Sequence, residues 1–202
     1  LPDPYQDINC NYQIMKYEVS DADYITFLID ALEEGLIEIY DNAAWGPYVG
    51  DTNNLPMESV RYIDFNNSKI NWDGNIFTVD EGFPNHPVVG VTYYGAYMFS
   101  EYFGMELPTY EEWIKAARGM QEFQYPWGNS ISNYNANFLD SGDPYDNGTT
   151  PVGYFNGDNN TLDSPGVYGA YDMIGNAYEW VKGSFPGNQR VAIGGSWNSS
   201  IN

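Results

Sequence analysis

Two acidic side chains, Asp172 and Glu179, flank a Gly175-Asn176 pair. A hard cation such as calcium takes about six to eight oxygens, mixing carboxylates with backbone carbonyls. Asp172 and Glu179 supply side-chain oxygens. The Gly-Asn turn between them can aim the carbonyls of Gly175 and Ala177 inward. The spacing fits a small oxygen cage, and it equally fits an ordinary Asx turn beside a solvated glutamate.

A second oxygen-rich cluster runs from Asn135 to Gly148, with Asn137, Asp140, Asp143 and Asp146 close together. It lacks the closing glutamate of a helix-loop-helix calcium loop, and Pro144 interrupts it. A noncanonical oxygen site remains open there.

Other chemistries are poorly served. The chain holds one histidine, His86, and one cysteine, Cys10. That argues against tetrahedral zinc, a histidine-rich iron site and a Cys-His nucleophile pair. His86, between Asn85 and Pro87, reads as a loop residue, and Cys10 as an incidental thiol with no intrachain disulfide. No Gly-rich phosphate loop precedes a lysine. Glu111-Glu112 resembles an acid/base pair, but Glu112 also has a helix-capping role.

With 28 acids against 7 bases, the net charge is −21. Polyanionic partners such as nucleic acid or an anionic membrane would be repelled. No apolar run is long enough for a transmembrane helix. The 202 residues suit a single domain, and 19 Tyr and 6 Trp are too many aromatics for a disordered chain. Trp45, Tyr48, Trp127, Tyr178 and Trp197 fall in loop-like segments. They read either as ligand anchors or as a satellite core beneath long loops.

The elements that must position these groups are few. Tyr12–Val19 is β-rich and reads as a strand. Ser20 caps a helix whose apolar face is Tyr24, Phe27, Leu28, Ala31 and Leu32, stopped by Gly35. Residues 41–60 read as a loop. Asn71–Val79 reads as a hairpin turning at Asp73-Gly74, and 84–87 as a loop. Thr92 caps a second helix to about Phe103, facing inward through Tyr94, Tyr97, Met98 and Tyr102. Thr109 and Glu112 form a capping box for a third, ended by Gly119. Beyond Gly119 the sequence promises loops with short strands, such as Val152–Phe155 and Arg190–Ile193. So long an irregular stretch needs something to hold it, and bound cations are a candidate. The fold class is α+β.

Several motifs share one family's order. They are Lys16-Tyr-Glu-Val-Ser20, Pro87-Val-Val-Gly-Val-Thr92, Leu107-Pro-Thr-Tyr-Glu-Glu-Trp-Ile-Lys-Ala-Ala-Arg-Gly119, Tyr125-Pro-Trp-Gly128 and Asn135-Ala-Asn137. Thr150-Pro-Val-Gly153, Gly169-Ala-Tyr-Asp-Met-Ile-Gly-Asn-Ala-Tyr-Glu-Trp180 and Arg190-Val-Ala-Ile-Gly-Gly-Ser-Trp197 complete the series. Together they resemble the formylglycine-generating enzyme, or sulfatase-modifying factor, family over nearly the whole chain.

The resemblance implies a loop-rich, formylglycine-generating-enzyme-type, C-type-lectin-like fold with two calcium ions. One would be held by Asn137, the Phe138 carbonyl, Asp143 and the Tyr145 carbonyl, with Asp146 as a substitute for Asp143. The other would be held by Asp172, Glu179 and the carbonyls of Gly175 and Ala177. The family's enzymes bind copper through two cysteines. The first of those positions falls on Ser199 and the second beyond Asn202, so neither copper nor formylglycine formation is expected. The usual C-terminal segment is expected to be missing, and a partner strand or self-association could complete it.

The implied function is a non-catalytic binding or structural module, secreted or at a cell surface. Tyr178, Trp197, Asn198 and Ser199 would form its surface for a protein or glycan ligand. The alternatives are a truncated oxidoreductase-like relative and a retroelement-diversified receptor-binding protein of the same fold.

Overall fold

The computed structural model describes residues 11–51, 54–145, 148–185 and 189–201. Cys10 and Asp146 lie outside them. The chain divides into two compact units: Val19–Leu107 with Gly183–Arg190, and Leu1–Glu18 with Pro108–Lys182 and Val191–Asn202.

The unit built on residues 19–107 contains two capped helices. Helix α1 spans Asp21–Glu33. Its cap Ser20 accepts from the Asp23 amide, and the Asp23 carboxylate accepts in return from the Ser20 amide. Helix α2 spans Tyr93–Tyr102, and Thr92 Oγ1 accepts from the Gly95 amide. Both helices stop at glycines with positive φ, Gly35 and Gly104, as their sequences predict. On α1, Tyr24, Phe27, Leu28 and Ala31 are buried as expected. On α2 the buried face is Tyr93, Tyr97 and Phe99, offset from the one inferred. Phe99 stacks on Tyr24 at 5.6 Å and meets Phe27 edge-on at 5.7 Å. Burying each such ring contributes about 1.5–3 kcal/mol.

Residues 41–60 are not the expected loop. Strands β1 (Glu38–Tyr40), β2 (Ala43–Tyr48) and β3 (Met57–Asp64) form an antiparallel sheet in that order. The Asn, Gly and Pro residues that suggested a loop serve the turns and bulges. Register shifts fall between Ala44 and Trp45 and between Gly46 and Tyr48, and Pro47 sits at the second of these. Gly46 has no side chain because the Tyr62 ring lies 2.8 Å from where a Cβ would be. The anticipated hairpin is present as β4 (Ile70–Trp72) and β5 (Phe77–Val79). Asp73 Oδ1 accepts from the amides of Asn75 and Ile76 and shapes its turn.

The other unit carries helix α3, Tyr110–Arg118, with the Thr109/Glu112 capping box and Gly119 at its end. Trp113, Ala116 and Ala117 of α3 pack with Ala170, Met173 and Val181. Strands β6 (Glu179–Phe185) and β7 (Gln189–Ile193) form a two-stranded sheet. Between α3 and β6 the described residues form no helix, as expected, but no strand either, so Val152–Phe155 is not the short strand anticipated. Nor is 12–19. That segment pairs one group at a time instead: the Lys16 carbonyl accepts from the Tyr171 amide, and Glu18 is engaged through its side chain. His86 does lie in a loop, but it is fully buried.

Candidate cation site and adjoining surface

The loop from Asp172 to Glu179 is built on unusual backbone. Asp172, Gly175 and Asn176 all have positive φ, at 60°, 83° and 57°. Asn and Asp tolerate this region better than other residues with side chains. At Gly175 close approach adds a second requirement, because a Cβ would collide with the Asn137 carbonyl oxygen.

Asn176 holds the loop. It is almost fully buried. Its backbone amide donates to the Asn137 carbonyl at 2.8 Å, and its carbonyl accepts from the Trp197 amide at 2.9 Å. Its side-chain oxygen accepts from the Thr150 amide at 2.9 Å. Its Nδ2 donates to Glu18 Oε2 at 2.6 Å. The other Glu18 oxygen, Oε1, accepts from the Ala177 amide at 3.0 Å. One asparagine thus ties four distant segments together.

Three carboxylates gather here. Asp172 Oδ2 accepts from the Gly153 amide at 2.5 Å. Glu179 Oε2 accepts from the Trp113 indole at 3.0 Å, and Glu179 Oε1 is buried with no hydrogen-bond partner. Glu18 is spent on Asn176 and Ala177. Among the described residues, no ion pair includes any of the three. Burial, and then the charges of Asp172 and Glu179, push the Glu18 carboxyl well above the usual range. Burial also raises Asp172 against the opposing Gly153 hydrogen bond. It raises Glu179 to about 7, with the Asp172 charge adding to the shift. Buried anions without a counter-charge are costly unless something positive sits among them.

These residues fit a hard cation. An orphaned buried carboxylate oxygen on Glu179, a second carboxylate at Asp172 and a backbone arc at 175–177 are the donor types calcium selects. Among the described residues no three acidic, imidazole or thiol groups converge closely enough to hold a metal by side chains alone. Carbonyls such as those of Gly175 and Ala177 would have to complete the shell.

The other inferred ligand set lies in one loop, where the oxygens of Asp143 and the Phe138 carbonyl already accept hydrogen bonds. Asp143 Oδ2 accepts from Ser141 Oγ and its Oδ1 from the Tyr145 amide, both at 2.7 Å. The Phe138 carbonyl accepts from the Ser141 amide at 3.0 Å. Asn137 Nδ2 donates to the Gly148 carbonyl at 3.0 Å.

The inferred ligand surface adjoins the cation loop through the Trp197–Asn176 bond. Tyr178 is exposed, and its hydroxyl lies 3.0 Å from Ser199 Oγ. Ser199 Oγ also accepts from the Ser196 amide at 3.0 Å. Asn198 is exposed and Trp197 half-buried. The other loop-like aromatics divide. Tyr48 is core, Trp45 stacks on Tyr40 at 4.9 Å and Trp127 on Tyr125 at 6.1 Å.

Sequence reasoning missed Glu18, Trp113, Thr150 and Gly153 as neighbours of this loop. The only local signal for Glu18 is a single acid between apolar residues just before a helix cap.

Residues 3–202 match the family model described as the sulfatase-modifying factor enzyme 1-like domain. The serine/threonine-protein kinase pkn1 of Chlamydia pneumoniae is 34% identical over 157 residues, covering 68% of this chain and 23% of that protein. The formylglycine-generating enzyme of Thermomonospora curvata is 36% identical over 108 residues, covering 48% of this chain and 33% of that one. The inactive C-alpha-formylglycine-generating enzyme 2 of Mus musculus is 38% identical over 122 residues, covering 55% and 37%. The chain spans well under half the length of each of these relatives. The solved structure of CarF superposes with a TM-score of 0.56 at 20% identity, covering 93% of this chain and 76% of that one. That likeness concerns the fold.

Proposed function

Because the chain belongs to the sulfatase-modifying factor enzyme 1-like family, we propose that it is a non-catalytic, calcium-stabilised binding or structural module of that fold, acting outside the cell. The carrying observation is the unpaired, buried Glu179 Oε1 beside two further carboxylates that have no counter-ion among the described residues. When bound, calcium supplies the missing positive charge. Asp172, Glu179 and the carbonyls of Gly175 and Ala177 hold it, and no chemical step is asked of it. The proposal extends to a second ion at Asn137, Phe138, Asp143 and Tyr145, where Asp143 would exchange its Ser141 bond for the metal.

The non-catalytic reading rests on Ser199. Its hydroxyl stands where the resemblance puts the first copper-binding thiol, and Tyr178 and Ser196 already engage it. A serine hydroxyl is a poor ligand for soft Cu(I). The relative named an inactive formylglycine-generating enzyme 2 supports this direction. The extracellular assignment is supported by the net charge of −21. Among the described residues no helix is long and apolar enough to cross a membrane. The exposed Tyr178 and Asn198, with the half-buried Trp197 beside them, suit a protein or glycan ligand.

Thermal unfolding in calcium against chelator tests the stabilisation. Calcium at about a hundredfold over its Kd adds about 2.7 kcal/mol, which raises the midpoint by roughly 5–10 °C for a chain of this size. An unchanged midpoint contradicts the proposal. A copper-supplemented assay on a sulfatase peptide tests the other half, and formylglycine turnover would overturn it.

A further inference from the structure

Tyr40 and Trp45 form an aromatic platform on the β1–β3 sheet. Tyr40 pairs directly with Ala43 across the β1–β2 ladder, and so small a neighbour lets its ring lean along β2 onto Trp45. The two rings are nearly parallel, at 9° and 4.9 Å between centroids. Two further contacts hold them. The Trp45 indole donates to the Tyr40 carbonyl at 3.2 Å, and the Tyr40 hydroxyl lies 3.4 Å from Ser59 Oγ on β3. Tyr40 is nevertheless 43% exposed. A ring held flat against a second ring offers its other face to solvent, with little side-chain freedom left to lose on binding.

The charges beside the platform are not balanced. Glu38 and Arg61 lie on either side of Trp45 in the strand register, and both are exposed. Arg61 is taken by Asp64 at 3.4 Å. Glu38 enters no ion pair among the described residues. An aromatic face attracts a cation through its quadrupole, and a neighbouring carboxylate adds to that attraction. The net charge of −21 contributes a field of the same sign. We propose that this face docks a basic segment of a partner polypeptide, with an arginine or lysine side chain seated over Tyr40 and within reach of Glu38. This surface shares no residue with the one at Tyr178 and Trp197, and it does not depend on the calcium reading.

The probe is hexaarginine, labelled for fluorescence anisotropy, with hexacitrulline as its uncharged counterpart. Citrulline keeps a planar head group and removes the positive charge. The whole chain is compared as wild type, Y40L, Y40F and E38Q. Leucine keeps apolar bulk and the chain's net charge but removes the ring face, so Y40L weakens hexaarginine binding about fivefold. Phenylalanine keeps the face, so Y40F stays within about twofold of wild type. E38Q weakens binding about threefold at low salt, and that difference shrinks at about 0.5 M salt. Hexacitrulline binds wild type about tenfold more weakly than hexaarginine.

Wild-type affinity in Y40L would mean that overall acidity alone holds the peptide, and it overturns the proposal. So does a Y40F chain weakened fivefold, wild-type affinity in E38Q, or hexacitrulline binding as tightly as hexaarginine. A hexasaccharide that binds through Tyr40 where hexaarginine does not, or a dimer that Y40L dissociates, assigns the face to another occupant and also overturns it. Y40F and E38Q decide the matter where Y40L fails to fold. A melting midpoint indifferent to calcium leaves this surface untouched.

Discussion

Asn176 donates its side-chain amide to Glu18 at 2.6 Å across 158 residues of sequence. This single contact joins the segment leading into α1 to the loop that closes on Glu179. A loop with three positive-φ positions is strained in isolation. It persists because Asn176 is bonded on every side.

Replacing that hub should be costly. Asn176→Ala removes the bonds to Glu18 and Thr150 and leaves their buried groups unpaired. It also places alanine at a φ of 57°. The expected loss is about 2–4 kcal/mol, read as a lower urea midpoint at unchanged slope. A change under about 0.5 kcal/mol would mean that the network is dispensable.

Gly95 inverts the usual helix rule. Alanine in place of a helical glycine normally stabilises by about 1 kcal/mol. Here a Cβ would run into the Tyr62 carbonyl oxygen, so α2 would have to lift from β3. Gly95→Ala should destabilise, lowering the melting midpoint in thermal scans. The same change at Gly35, where a Cβ meets nothing but φ is 70°, should cost less.

Arg190 is one of seven basic residues and lies half-buried. Its Nη1 donates to Asp51 at 2.9 Å, and its guanidinium lies 3.8 Å over the Tyr93 ring. Tyr48 and Tyr93 also donate to Asp51 Oδ2, at 2.5 and 3.2 Å. Arg190→Ala leaves a buried carboxylate without its cation and should cost about 3–5 kcal/mol. Adding Asp51→Asn should recover part of that loss. A double variant no better than the single, by denaturant titration, would refute the pairing account.

Asp21 sets a pH dependence. It is fully buried, and neither carboxyl oxygen has a hydrogen-bond partner. Burial raises its pKa from 3.8 to about 7, with Lys69 opposing and Asp80 adding to the rise. The folded chain therefore keeps a proton that the unfolded chain has already lost. Its contribution is fully present below the unfolded value of 3.8, falls as pH rises toward 7, and is gone above that. Asp21→Asn should flatten this fall in melting midpoint between about pH 4 and 7. If the Asp21→Asn chain keeps the wild-type slope, Asp21 is excluded as its source.

The three helices were legible because their signals are local. Ser20, Thr92 and Thr109 cap within one turn of the apolar faces they start, and Gly35, Gly104 and Gly119 stop them. The β1–β3 sheet was not legible. Its central strand is bulged, and Gly46 and Pro47 read as loop residues until Tyr62 is seen to need the space. Asp172 and Glu179 could be proposed from spacing, because both lie on one loop with its turn between them. Glu18 could not, because its role depends on a contact made far along the chain. Asp143 was legible as one of a cluster of oxygen donors, but the hydrogen bonds its oxygens accept from Ser141 and Tyr145 were not.

On the proposed function, a calcium ion completes the loop from Asp172 to Glu179. The most direct measurement is long-wavelength anomalous diffraction from crystals grown in calcium. A bound calcium gives a peak about 2.3–2.6 Å from a Glu179 carboxylate oxygen and from the carbonyls of Gly175 and Ala177. A calcium-saturated crystal with no peak at that position, or with water hydrogen-bonded to Glu179 Oε1 instead, would contradict it.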